Sequence, residues 1–298
     1  FLNNPSFNGE LVRKAVSAKV QIIVDHPHQI RLLEPHISKI RPVMLRLNTG
    51  LLKQYLPEHP GMRKDHFGMD MDNLGIAIDK LNALGIPVEG IHLFKGSYSF
   101  NSTAIPTVEA IQALLPIIEE RLGYPLKKVN LGGGLSAYWD QEGFDFAEYR
   151  ARLAPLQERY EVLHESGRAV FAASGYFLTK VVSQKTINGH HYAICDGGLA
   201  QSFLLAQTEN TFRKVKQPEM WWAQENTRET ANSTVEFAGG SCNKDDIIGK
   251  LPAGSRMPET GDIAIFSECG AYNATYSPVN FLGLPKAKEY LLLDSSQE

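Results

Sequence analysis

The chain has 298 residues, with 30 Lys and Arg against 33 Asp and Glu, a formal net charge of -3. That length can bury a sizeable core and holds one large domain or two of about 100–200 residues each, while the near-even charge balance supplies no global field for nucleic acid or an anionic membrane surface. No apolar stretch reaches membrane-spanning length, and Cys195, Cys242 and Cys269 form an odd set with no C-x-x-C pair, the pattern of reduced thiols in a cytoplasmic-type compartment.

The chain opens without methionine, and Phe1-Leu2-Asn3-Asn4-Pro5 reads as the end of a strand already under way, so the expectation is a fragment of a longer protein. Short β-rich runs then alternate with amphipathic helices, which argues for βα units and a parallel sheet. The expected strands are Gln21 to Asp25, Val43 to Leu47, Val88 to Phe94, Lys128 to Leu131 and Glu161 to His164. Between them, Leu74, Ile78, Leu81 and Leu84 fall at helical spacing before the stop signals Gly85 and Pro87. A helix is expected from Thr107 to Leu122 with a kink at Pro116, and another from Phe146 to Tyr160, interrupted near Pro155. With the stub at Phe1, six strands are visible. A (β/α)₈ TIM barrel needs eight, so the expected α/β fold is an N-terminally truncated barrel over residues 1–172, with two units upstream. From about Ala173 the texture changes. Tyr176 to Ile187, the type I′ turn signal Asn188-Gly189 and the partner strand His190 to Cys195 make a hairpin, and a mostly β domain is expected over 173–298, with a loop-rich insertion from Pro218 to Ser233.

The candidate site residues stand at strand ends. Val129-Asn130-Leu131 runs into Gly132-Gly133-Gly134, and three glycines after an apolar strand let backbone N–H groups approach an anion with no Cβ in the way. One strand-helix unit later comes Glu165-Ser166-Gly167-Arg168. Pyridoxal phosphate calls for that combination, because its phosphate takes N–H donors and Arg while its pyridine nitrogen takes an acid partner. The plainer alternatives are a tight glycine turn and a structural ion pair of Glu165 with Arg168. At the end of an earlier strand, His92-Leu93-Phe94-Lys95-Gly96-Ser97 offers a ring and a Gly-Ser turn, although on local grounds it is an ordinary turn and His92 a hydrogen-bonded core histidine. In the β domain, Gly239-Gly240-Ser241-Cys242 leads to Asp246, where a thiol on a glycine turn can donate a proton or be a buried cysteine before an acidic loop. Tyr272, after Gly270-Ala271, either bonds a phosphate or packs. His190 and His191, neighbours on a strand, point to opposite faces and share no metal ion.

Taken in order, the Arg46 strand, His66-Phe67-Gly68, Gly96-Ser97, Gly132-Gly133-Gly134, Glu165-Ser166-Gly167-Arg168, Asp196-Gly197-Gly198, Cys242 with Asp246, and Gly270-Ala271-Tyr272 resemble the fold-type III pyridoxal phosphate decarboxylases, the family of diaminopimelate, ornithine and arginine decarboxylases. The resemblance implies a (β/α)₈ barrel followed by a β domain. It also implies that Ser97, Gly132, Gly133, Gly134, Gly167, Arg168 and Tyr272 hold the cofactor phosphate, that Phe94 lies on the ring, that Glu165 meets the pyridine nitrogen, and that Cys242, with Asp246 nearby, protonates the α-carbon from the other subunit of a homodimer. Three departures stand out. No Tyr-Ala-x-Lys-like segment supplies the Schiff-base lysine, Phe94 replaces a ring-stacking histidine, and Asn243 stands where diaminopimelate decarboxylases carry Glu. The expected activity is therefore decarboxylation of an amino acid or amino-acid conjugate, in a siderophore or other natural-product pathway or a diaminopimelate-like one, with a non-catalytic regulatory homologue as the alternative.

Overall fold

The computed structural model describes residues 1–55, 65–206, 216–225 and 227–293. The chain divides into two units, Phe1–Ser166 and Gly167–Glu298. The division falls ahead of the expected boundary near Ala173 because the short helix Gly167–Phe171 and the turn after it bond within the second unit: Gly270 N–H donates to the Ala172 carbonyl at 3.1 Å.

In the first unit, β1 (Leu2–Asn3), β2 (Ile22–Val24), β3 (Val43–Arg46), β4 (Val88–His92), β5 (Lys128–Asn130) and β6 (Glu161–Leu163) form one parallel sheet in sequential order. All five strands expected between Gln21 and His164 are present, each trimmed by a residue or more. The helices are α1 (Gly9–Ser17), α2 (Leu52–Tyr55), α3 (Met71–Ala83), α4 (Phe100–Leu122) and α5 (Phe146–Gln157). Side-chain oxygens cap them where the sequence offers an Asx residue: Asn8 accepts from Leu11 N–H, Asp70 from Asn73 N–H, and Asp145 from Ala147 and Glu148 N–H. Helix α4 starts at Phe100 rather than Thr107 and runs unbroken through Pro106 and Pro116. Its first turn is held by side chains, with Ser102 and Thr103 hydroxyls donating to the Ser99 carbonyl. Ile111, Leu114, Leu115 and Ile118 of α4 are at most 1 % exposed, and at about 1.5–3 kcal/mol for each fully buried side chain they anchor the helix to the sheet.

The strands sort their residues by parity. Val43, Leu45, Ile91, Leu93, Val129 and Leu131 join the core shared with the helices. Met44 and Arg46 pair in register with Gly90 and His92, which pair with Lys128 and Asn130. This alternate set carries the polar residues.

In the second unit, α6 (Gly167–Phe171) precedes β7 (Phe177–Ile187), β8 (His190–Cys195), β9 (Glu219–Trp221), β10 (Val235–Ala238), β11 (Ile247–Leu251), β12 (Ile263–Phe266) and α7 (Asn273–Tyr276). The strands form one sheet in the order β11-β10-β8-β7-β12-β9, antiparallel except where β10 runs parallel to β8. The β7–β8 hairpin turns on Asn188 and Gly189 with φ of 50° and 81°, the paired positive values of a type I′ turn. The stretch Pro218 to Ser233 is mostly irregular but contains β9; residue 226 lies outside the described residues. Arg228 pins this stretch. Its guanidinium reaches the buried Asp262 carboxylate, which also accepts from Ala223 and Glu259 N–H. Among the described residues, no helix is long and apolar enough to cross a membrane.

Candidate active site

The carboxyl ends of the six parallel strands each supply one polar side chain to a continuous network. Asn3 comes from β1, Asp25 follows β2, Arg46 ends β3, His92 ends β4, Asn130 ends β5 and Glu165 follows β6. Arg46 Nη1 donates to Asp25 Oδ2 at 3.0 Å and to Asn3 Oδ1 at 3.2 Å. Asn3 Nδ2 stands 3.3 Å from His92 Nε2, which stands 3.4 Å from Glu165 Oε1. Asn130 Nδ2 donates to the same Glu165 oxygen at 2.9 Å. Asp25 also accepts from Gly68 N–H at 3.1 Å, and Phe67 lies under the Arg46 guanidinium at 4.3 Å, so His66-Phe67-Gly68 closes over the ends of β2 and β3.

Asp25 and Arg46 are a buried, mutually neutralising pair. Glu165 is different, because it has no cationic Arg or Lys within ion-pair distance among the described residues, and its side chain is 40 % exposed. The hydrogen bond with His92 is the largest influence holding its carboxyl below the usual range; desolvation opposes this, and the charges of His92 and Arg46 and the Asn130 amide add to it. Glu165 is therefore a carboxylate at neutral pH, open to one more cationic partner. His92 is wholly buried and its Nδ1 has no partner. Its Nε2 can accept from Asn3 or donate to Glu165, not both, because a ring nitrogen carries either a lone pair or a proton. The reading of His92 as a satisfied core histidine is thus corrected: one nitrogen is orphaned and the other faces the site.

The glycine triplet is built by close backbone approach. A Cβ on Gly132, whose φ is +64°, would lie 2.3 Å from the Leu93 carbonyl oxygen, and one on Gly133 would lie 1.9 Å from that of Glu165. On Gly134, at φ +109°, it would lie 2.9 Å from the Gly96 carbonyl oxygen. The turn after β5 is therefore wedged between the turns after β4 and β6, and Glu165 N–H donates to the Gly132 carbonyl at 2.9 Å. Gly132 N–H is taken by Asn130 Oδ1. The N–H groups of Gly133 and Gly134 bond to no other described residue. Phe94, half buried, has its Cα against Gly132, and Ser97 is exposed on the adjoining turn. Phe94, Ser97, the three glycines and Glu165 are thus brought together.

In the second unit, Gly167, Arg168 and Tyr272 form another group. The Tyr272 hydroxyl sits where a Cβ on Gly167 would meet it at 2.5 Å, and the Arg168 guanidinium lies 5.2 Å from the Tyr272 ring centre. Tyr272 has φ +65°, a left-handed value uncommon for an aromatic residue and of the kind that gathers at ligand sites. Cys242 is exposed, whereas burial raises the thiols of Cys195 and Cys269 to about 12 and about 11. Asp246 is buried, and its carboxylate accepts from Leu199 N–H at 2.6 Å and Ser241 N–H at 3.1 Å. It staples the Gly197-Gly198 turn to the turn that carries Cys242. Sequence reasoning passed over Asn3, Asp25 and Asn130. The available signal was a polar residue on the inward parity of an otherwise apolar strand.

A family model described as the pyridoxal-binding domain of pyridoxal-dependent decarboxylases matches residues 2–179. The chain is 28 % identical to the L-glutamyl-[BtrI acyl-carrier protein] decarboxylase of Niallia circulans over 70 % of the chain and 51 % of that protein. It is 27 % identical to the 2-[(L-alanin-3-ylcarbamoyl)methyl]-2-hydroxybutanedioate decarboxylase of Staphylococcus aureus, over 99 % of the chain and 76 % of that protein. It is also 27 % identical to the diaminopimelate decarboxylase of Deinococcus radiodurans, over 97 % and 71 %. The crystal structure of the lysine/ornithine decarboxylase of Vibrio vulnificus superposes with a TM-score of 0.73 at 18 % identity, covering 95 % of this chain and 71 % of the other, and shares its fold.

The residues present fit the family's cofactor, pyridoxal 5′-phosphate. Gly133 and Gly134 leave two N–H groups unbonded at a turn no side chain can fill, and Glu165 is an ionised, partly exposed carboxylate suited to a protonated ring nitrogen. With its barrel strands, its β unit and a family match over more than half its length, the chain belongs to the pyridoxal-dependent decarboxylases, enzymes that use pyridoxal phosphate to remove a carboxyl group from amino acids or their conjugates.

Proposed function

We propose that this protein decarboxylates a conjugated or carrier-bound amino acid, with Glu165 as the acid partner of the cofactor ring. The observation that carries the reading is the setting of Glu165, held anionic by His92 and Asn130 beside the wedged glycine turn. Bound pyridoxal phosphate would supply a sink for the electron pair left when the carboxylate departs as carbon dioxide. Gly133 and Gly134 N–H and Ser97 of the first unit, and Gly167, Arg168 and Tyr272 of the second, would hold its phosphate, Phe94 would give the ring a flat apolar face, and Glu165 would keep a proton on the ring nitrogen. Cys242 returns a proton to the substrate α-carbon, and Asp246 positions the turn from which it does so. Two of the relatives named above act, by their names, on an amino acid joined to a carrier protein or to a hydroxybutanedioate, which supports a conjugated substrate. The protein works as a cytoplasmic homodimer in which Cys242 serves the partner's site.

The test is release of carbon dioxide from a panel of free and conjugated amino acids in the presence of pyridoxal phosphate. Turnover of a conjugate is expected, and no release from any member while cofactor is bound would overturn the reading. Cys242→Ala should bind cofactor normally but lose product formation. Mixing Cys242→Ala with Glu165→Ala should restore activity that neither has alone, because shared sites in a symmetric dimer complement each other.

A further inference from the structure

Among the described residues, the buried amine of Lys95 has no anionic partner. The residue is 3 % exposed, and no carboxylate lies within 4.0 Å of its ammonium among the described residues. It follows the parity of Ile91 and Leu93, away from the face that carries His92. Its Nζ donates to the Leu131 carbonyl at 2.9 Å and lies 5.7 Å from the centre of the Phe100 ring at the start of α4. Among the described residues, the groups that face it supply no negative charge. His164, beyond β6, is shifted toward its neutral form first by desolvation and then by the charge of Lys95. Behind it, the Tyr149 hydroxyl of α5 meets His164 Nε2 at 3.3 Å and is kept protonated by burial. The β5 turn and α4 offer only a carbonyl and an aromatic ring. A buried ammonium in such company is unfavourable, and burial alone pushes Lys95 down to about 8.

We infer that Lys95 is the built-in countercharge of the phosphate turn: the carbonyl it holds belongs to Leu131, directly before Gly132-Gly133-Gly134, and a phosphate dianion taken by the Gly133 and Gly134 N–H groups draws a proton onto Lys95. This rests on the cofactor reading above and adds a residue and a proton to it. Tethering alone does not explain the residue, since a neutral side chain such as Gln can donate to the same carbonyl. Only the ammonium adds positive potential behind the turn.

The linkage is measurable without turnover. Pyridoxamine 5′-phosphate is the probe, because it carries the phosphate and ring but needs no lysine to hold an aldehyde. At pH 8.5 its phosphate is already a dianion, its second pKa being about 6. Isothermal titration calorimetry in two buffers of different ionisation enthalpy gives the protons taken up on binding. The wild-type chain should take up a fraction of a proton more than Lys95→Met or Lys95→Gln, and its affinity should fall more steeply between pH 8 and pH 9.5, by up to about tenfold per pH unit relative to either variant. Lys95→Gln keeps a donor for Leu131 and Lys95→Met keeps the apolar stem, so the charge is tested even where one variant fails to fold. Equal proton uptake and equal pH slopes in wild type and variants would overturn the role of Lys95 and leave the cofactor reading standing. Absence of binding in wild type and variants alike would overturn both.

Discussion

Replacing Gly133 with alanine tests whether backbone wedging sets the site. Gly133 has no positive φ, so left-handed strain does not enter; the dominant effect of the substitution is the clash of the new methyl with the Glu165 carbonyl oxygen at 1.9 Å. Real Cβ atoms essentially never come within 3.0 Å of such a neighbour, so the β5 and β6 ends must part by at least about 1.1 Å. That movement lengthens the 2.9 Å bonds from Glu165 N–H to Gly132 and from Asn130 to Glu165. Over-packing usually costs about 1–3 kcal/mol, and backbone on both sides of the clash places this change near the top of the range. At roughly 2–4 °C per kcal/mol for a domain of this size, the melting temperature of the first unit should fall by about 6–12 °C. Circular dichroism melting would measure it, with Gly85→Ala as control: that residue has φ +66° and nothing within 4 Å, so only strain of about 1–2 kcal/mol applies. If Gly133→Ala melts no lower than Gly85→Ala, the wedged turn does not hold the strand ends in place.

Other changes give equally definite outcomes. His92→Leu should raise the midpoint at which Glu165 titrates, followed by NMR of carbon-13-labelled glutamate; an unmoved midpoint would show that His92 does not hold the carboxylate. Lys95 titrates near 8 in the folded chain against an ordinary 10.5, so the unfolded state binds more protons between those values and wild-type stability gains up to about 3 kcal/mol as pH rises across the window. Urea unfolding of Lys95→Met should lack that gain, and parallel slopes would count against burial as the cause. Asp262→Asn removes the buried carboxylate of the Arg228 pair and leaves the more exposed Glu259, 3.4 Å from Arg228 Nε, as a carboxylate partner, and should lose about 3 kcal/mol. Glu10→Gln, which removes an exposed pair with Lys14, should change stability by less than about 0.5 kcal/mol on the same unfolding curves.

The architecture was legible because its signals are local. Alternation of β runs and helices located the parallel sheet, and Asn188-Gly189 located the hairpin to the residue, since only two positive φ values in succession close that turn. Helix α4 extends further toward its N-terminus than its periodicity suggests because its first turn is polar, with Ser102 and Thr103 hydroxyls donating back to the Ser99 carbonyl in place of an apolar stripe. The glycine triplet was visible, yet the reason for it was not: the atoms that exclude a Cβ belong to Leu93, Gly96 and Glu165, and only folding brings them near. The network from Asn3 to Glu165 was hidden for the same reason, being made of residues that look ordinary one at a time. Asp246 shows the limit from the other side. Its place four residues after Cys242 was plain, but its two backbone donors decide that it braces a turn.

Because three chain turns meet here main chain to main chain, the shape of the glycine turn does not depend on the identity of the side chains beside it. Phe94 meets Gly132 through its Cα, so exchanging its side chain leaves that contact in place. The glycines are the positions at which a side chain cannot be introduced without moving the main chain of a neighbouring turn.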